Sequence, residues 1–302
     1  MSQFFIVDSH VHTYQSREIG LQAKQDGGET DYAGTVEETL SVMKAAGISK
    51  SVMLNLLPVP DMRDAALSRL AGGLTPEQHK EAVKEIDSRM VARIQRRNQW
   101  TCDVARENPS LVPALFVDPI MGAELMKSEI AHCVAQGARA VKLHPNLQRI
   151  YPDDEGLFPL YEAAQELEVP VVSHCGISSA GTSFAEPRYF LEVLFAFPEL
   201  VLVLAHLGSG FQKDIEQVAV AYANTMFDCS AIISEADRED RISCQELASM
   251  IRRVGTERVM FGSDFPWYDP AGAISRLVSS DLTDDEKRQI LSQNAARVFR
   301  LP

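Results

Sequence analysis

The sequence predicts an α/β protein built as a (β/α)8 TIM barrel, with a long helical insertion between the second and third strands. Three observations predict it. Eight short apolar or β-branched runs recur along the chain, and amphipathic segments lie between them. No run is followed by the G-x-G-x-x-G or G-x-x-x-x-G-K loop that would favour an open, doubly wound sheet. Runs apolar on both faces suit parallel strands covered by helices, and most later strand–helix units have the length of a βαβ repeat.

In chain order the expected strands are "FFIVD" (4–8), "SVMLNLL" (51–57), "LVPALFVD" (111–118) and "ARAVKLH" (138–144). The remaining four are "VPVVSH" (169–174), "LVLVLAH" (200–206), "TMFDCS" (225–230) and "RVMFGSD" (258–264). Helix starts are marked by capping-box patterns: "TVEE" from Thr35, "TPEQ" from Thr75, "SCQE" from Ser243 and "TDDE" from Thr283. The insertion covers about residues 58–108 of a single 1–302 domain. Within it Val83, Ile86, Met90 and Ile94 recur at helical spacing, an apolar stripe that could cover the barrel, form a lid or meet a second subunit in a homo-oligomer.

Composition narrows the function. A net charge of −13 with no compensating basic tract disfavours nucleic acid and anionic membranes as partners, leaving a small-molecule substrate. Arg93, Arg96 and Arg97 are expected on a solvated helix face. Five scattered cysteines without a C-x-x-C pair fit reduced thiols, and no apolar run reaches membrane-spanning length, so a cytoplasmic protein is expected.

The chemistry gathers at strand ends. His10, His12, His144, His174 and His206 each fall at or just beyond an expected strand, as does Asp264. In a barrel these ends share one face, where active sites are built. Side chains alternate across a strand, so His10 and His12 project to one side while Val11 faces the helices. Two imidazoles so placed can share a divalent cation, and His174 and Asp264 would complete a mixed N/O site suited to Zn²⁺, with Mn²⁺ or Fe²⁺ as alternatives.

"DSHVH", "SHCG", "AHLG" and "GSDFPW", in that order along the whole chain, resemble the amidohydrolase superfamily, and within it the amidohydrolase-2 branch of metal-dependent hydrolases and nonoxidative decarboxylases. The resemblance implies a distorted barrel with one divalent metal at the C-terminal strand ends, held by His10, His12, His174 and Asp264. It assigns His206 to polarising substrate or transferring a proton. Some members carry a carboxylated lysine or a glutamate on the fourth strand that bridges two metals; here "VKLHPN" offers Lys142 and His144, which share parity. "KLHP" resembles a one-metal subgroup, so both are read as substrate-binding residues.

The expected reaction is hydrolysis of an amide, ester or lactone of a small anionic molecule by a metal-activated water, with Asp264 or His206 moving the proton. The alternative is nonoxidative decarboxylation of an aromatic or unsaturated carboxylate. Arg188, in "AEPRYF", is the candidate partner for the substrate carboxylate, against a surface ion pair with Glu186 or Glu192. "DFPWYDP" places Trp267 and Tyr268 on a loop over the site, where they either line an apolar pocket or pack within the loop. A third reading is a metal-binding barrel without catalysis. Cys175 and Cys229 alternate away from the centre, and His79 and His132 lie on helix surfaces.

Overall fold

The computed structural model describes residues 5–25, 27–177, 183–235 and 242–302. Eight parallel strands pair in sequence order: β1 (Ile6–Val11), β2 (Ile48–Met53), β3 (Leu111–Phe116), β4 (Ala140–Leu143), β5 (Val171–Ser173), β6 (Leu202–Leu204), β7 (Thr225–Asp228) and β8 (Val259–Met260). The helices of the first half are α1 (Arg17–Lys24), α2 (Val36–Ala46), α3 (Val59–Leu67), α4 (Pro76–Glu107), α5 (Ala123–Ala135) and α6 (Pro145–Gln148). All four expected capping boxes form, at Thr35, Thr75, Ser243 and Thr283.

Closure from β8 to β1 is irregular. Beyond Met260 the chain keeps running beside β1 through single bonds: Ser9 N donates to Phe261 O (2.9 Å), Asp264 N to His10 O (2.9 Å) and His12 N to Phe265 O (2.7 Å). Gly262 permits this approach, because a Cβ there would sit 2.8 Å from the Cβ of His10 and 2.9 Å from that of Ser230. β1 is irregular as well. Asp8 and Val11 pair with Ser51 and Met53, so three steps in β1 face two in β2, a bulge of the kind that re-aims side chains beside active sites.

The bulge separates two uses of one strand. Val7 joins Val52, Ala114, Ala140, Val172 and Met260 in the apolar plug of the barrel interior, while His10 and His12 stand above it; Val11 lies in the layer beneath the helices, as alternation requires. The insertion is two helices rather than one. Ile86, Met90 and Ile94 of α4 are buried in the core, so of the three roles open to this stripe, covering the barrel is the one it fills.

The basic stretch is where the solvated-face expectation fails. Arg93 and Arg96 are exposed, but Arg97 is only 7% exposed. Helical spacing puts it three residues beyond Ile94, on the buried face, and the adjacent Asn98 bonds both Phe116 N and Phe116 O at the end of β3. No helix among the described residues is long and apolar enough to cross a membrane.

Candidate metal centre

His10 and His12 reach the barrel mouth from β1, and Asp264 meets them from the segment after β8. The Asp264 carboxylate lies 3.6 Å from His10 Nε2 and 3.4 Å from His12 Nε2. These three can each turn one ligand atom toward a common point. Asp264 adopts φ 62°, and His206 and Leu207 have φ 61° and 45°, left-handed conformations that non-glycine residues hold only when the surroundings compel them.

Hydrogen bonds decide which nitrogen of each ring faces the mouth. His10 Nδ1 lies 2.9 Å from Asp228 Oδ2, so Nδ1 carries the proton and Nε2 presents a lone pair. The Ser230 hydroxyl donates to Asp228 Oδ1, leaving its lone pairs for His206 Nδ1 at 2.8 Å. His206 therefore also turns a basic Nε2 to the mouth. His144 is the opposite case: its Nδ1 accepts from Leu147 N (3.3 Å), so its Nε2 carries the proton and donates.

Burial governs the charges. Desolvation pushes His10 down to about 3, with the Lys142 cation adding to it against the pull of Asp228, and lowers His12, His144 and His174 likewise. Neutral imidazoles are what a metal requires. For Asp264 and Asp228 burial acts upward, but the neighbouring histidines outweigh it, so both carboxyls lie below the usual range. Burial lowers Lys142 to about 8 although Asp228 and Asp264 oppose it, and raises Asp8, two residues before His10, to about 7.

Of the residues nominated from sequence, the structure brings most to this mouth. Lys142 is buried with Nζ 3.4 Å from His10 Nε2. His144 and His174 stack face to face at 4.3 Å, and His174 lies 4.9 Å from His206. His174 falls outside the three-residue group formed by His10, His12 and Asp264, yet its Nε2 is buried without a hydrogen-bond partner among the described residues, an orphan that a cation would satisfy. Trp267 meets His12 edge to face at 5.2 Å, and Tyr268 turns instead to Glu235.

Arg188 is not brought there. Its side chain is 63% exposed, pairs with Glu186 at 2.9 Å and lies over Tyr189, so the surface ion pair replaces the substrate contact. Cys175 and Cys229 are buried in the outer core, and His79 and His132 are exposed on helices. Asp228 and Ser230 were missed. The available signal was position: "FDCS" places Asp228 at the end of the seventh strand, as Asp264 follows the eighth.

The amidohydrolase family profile matches residues 88–301, well over half of the chain. The chain belongs to the amidohydrolase family. The matched span holds His174, His206 and Asp264 but stops short of His10 and His12.

A 2-amino-3-carboxymuconate-6-semialdehyde decarboxylase from Dictyostelium discoideum is 21% identical over 68% of this chain. The aligned region is 65% of that relative's length. Among solved structures, the 5-carboxyvanillate decarboxylase of Sphingomonas paucimobilis superposes with a TM-score of 0.69 at 16% identity, covering 99% of this chain and 100% of its own. A dihydroxybenzoic acid decarboxylase of Polaromonas sp. JS666, with bound manganese and 2-nitroresorcinol, gives 0.73 at 14% identity, covering 99% and 97%.

These relatives overturn the expectation of a hydrolase, since the activities they bear are decarboxylations. The strand-end histidines and aspartate serve either chemistry, which is why they could not separate the two. The expected zinc reduces to a divalent metal, for which this mixed imidazole and carboxylate set is suited.

Proposed function

We propose that the protein is a metal-dependent nonoxidative decarboxylase of a small aromatic or unsaturated carboxylate. The observation that carries the reading is a buried cation, Lys142, set beside the donor group of His10, His12 and Asp264 in a family member whose named relatives decarboxylate such acids.

In this reading His10, His12 and Asp264, joined by His174, hold one divalent ion, manganese or zinc, which when bound supplies Lewis acidity toward a substrate oxygen. Lys142 offsets the substrate's negative charge, and the Nε2–H of His144 donates to it. Trp267 walls the pocket and keeps water from the reacting carbon. His206, protonated at Nε2, gives that proton to the carbon bearing the carboxylate. The new C–H bond forms, the C–C bond to the carboxylate breaks, and its electron pair restores the unsaturation as CO₂ leaves. Solvent returns a proton to His206, so neither oxidant nor reductant is consumed. Five scattered cysteines without a C-x-x-C pair suit a cytoplasmic setting.

The test supplies a panel of hydroxybenzoates and carboxymuconate-type acids to manganese- and zinc-loaded protein in D₂O. CO₂ release with one deuterium at the vacated carbon is expected. An ¹⁸O label from water entering a product carboxylate, with no CO₂, would instead restore hydrolysis.

A further inference from the structure

Arg97 and Tyr14 have no place in that chemistry, yet both stand at its rim. Tyr14 follows His12 by two residues beyond the end of β1, and its phenol lies near enough to Asp264 to feel that carboxylate's charge. The chain there is held in register by Tyr14 N donating to Gly34 O (2.7 Å). Tyr14 is 8% exposed, and its hydroxyl makes no hydrogen bond among the described residues.

Arg97 reaches the same place from α4. Its Nη2 donates to the carbonyl of Thr13, the residue after His12. Thr13 in turn is tied through Asn55 and Thr101 back to the carbonyl of Arg97, so α4 and the strand ends form one closed frame. The guanidinium carbon lies 4.5 Å from the Trp100 ring and 5.6 Å from the Tyr14 ring. It has no acidic partner among the described residues, and its Nε is buried without any hydrogen bond. A buried cation so placed is expensive unless an anion arrives to use it.

We propose that Arg97 and the Tyr14 hydroxyl form a second anion subsite, which binds a carboxylate or phenolate of the substrate distinct from the carboxylate that leaves at the metal centre. The proposal rests on the decarboxylase reading for the identity of the leaving group. It selects substrates with two acidic groups. The flat guanidinium, braced between two rings, is formed to bind a planar oxyanion, and the phenol adds one donor.

The test uses the full chain loaded with manganese and titrated by calorimetry with benzoate, isophthalate, butyrate and succinate. Trp100, against Arg97, and Trp267, against His12, give a parallel fluorescence signal. The native protein is expected to bind each dianion at least about tenfold more tightly than its monoanion partner, the value of one charged hydrogen bond. Arg97→Met should abolish that preference while leaving monoanion affinity in place, Arg97→Lys should keep part of it, and Tyr14→Phe should reduce it severalfold. If Arg97→Met does not fold, the other two variants decide.

An arginine that only braced α4 would leave the ratio of dianion to monoanion affinity unmoved. That outcome, or a native protein without dianion preference in either series, overturns the subsite. The two readings fail separately: dianion preference without CO₂ release from any acid sinks the decarboxylase, and CO₂ release without dianion preference sinks the subsite.

Discussion

The two sides of the barrel mouth hold their histidines by different means. On the side formed by β1, β6, β7 and β8, His10 and His206 are wired to Asp228 and Ser230, and Asp264 is gripped between His10 and His12. On the β4 and β5 side, Lys142 is fully buried and His144 and His174 partly so, and all three are thinly partnered: Nζ has one long contact, the two rings stack, and His174 Nε2 has nothing. The first side is preorganised, with orientation set before a ligand arrives. The second is left in deficit, and a bound metal and an anionic substrate are what make up the shortfall.

The largest expected effect comes from breaking the organised side. A His10→Ala, His12→Ala pair should lose its metal by elemental analysis and fall to background activity, while circular dichroism stays barrel-like. On the deficient side, Lys142→Met should lower kcat/KM for an anionic substrate on the order of 10²-fold. Its melting temperature should hold or rise, since a buried charge is removed. Activity and stability would then move in opposite directions, as expected of a residue kept for function.

A smaller effect tests the wiring itself. Asp228→Asn keeps the shape but weakens the hold on His10 and its proton, and metal affinity should fall by about 10–100-fold, read by competition with a chelator. Sign and size follow from Asp228 acting on the ion through His10 Nδ1.

The least dramatic test is acid stability of the metal-free protein. With His10 held near 3 and His12, His144 and His174 also lowered, the unfolded chain binds more protons than the folded one as pH drops from about 6.5 toward 3, so stability is lost across that window. Asp8, raised to about 7, acts in reverse between its usual value and 7, because there the folded chain binds the extra proton. Four histidines, joined by the lowered Asp228 and Asp264, against the raised Asp8 and Asp118 predict net destabilisation on acidification, measurable by urea midpoints from pH 7 to 4.

What could be read from the sequence follows this division. Alternation and strand ends depend on local chain geometry, so the barrel, His10, His12, Lys142 and Asp264 were legible. Asp228 carried the same strand-end signal and was passed over, because what singles it out is the bond to His10, 218 positions away. Arg188 misled because a cation near a strand end looks alike whether it turns inward or pairs with a neighbour. Arg97 misled in the opposite direction, since three arginines in five positions look solvated until the buried face of α4 is known. Hydrolysis and decarboxylation draw on the same ligands, and only relatives separated them.

Gly262 and the bonds around it carry one more consequence. The seam that closes the barrel joins Ser9 to Phe261 across 252 positions, and the donors of the centre stand directly on it. A chain emerging from the ribosome therefore cannot complete the group of His10, His12 and Asp264 until the segment after β8 has been made. Metal uptake would then serve as a clock for the completion of folding, and a bound ion would act as a clasp between the two ends of the chain.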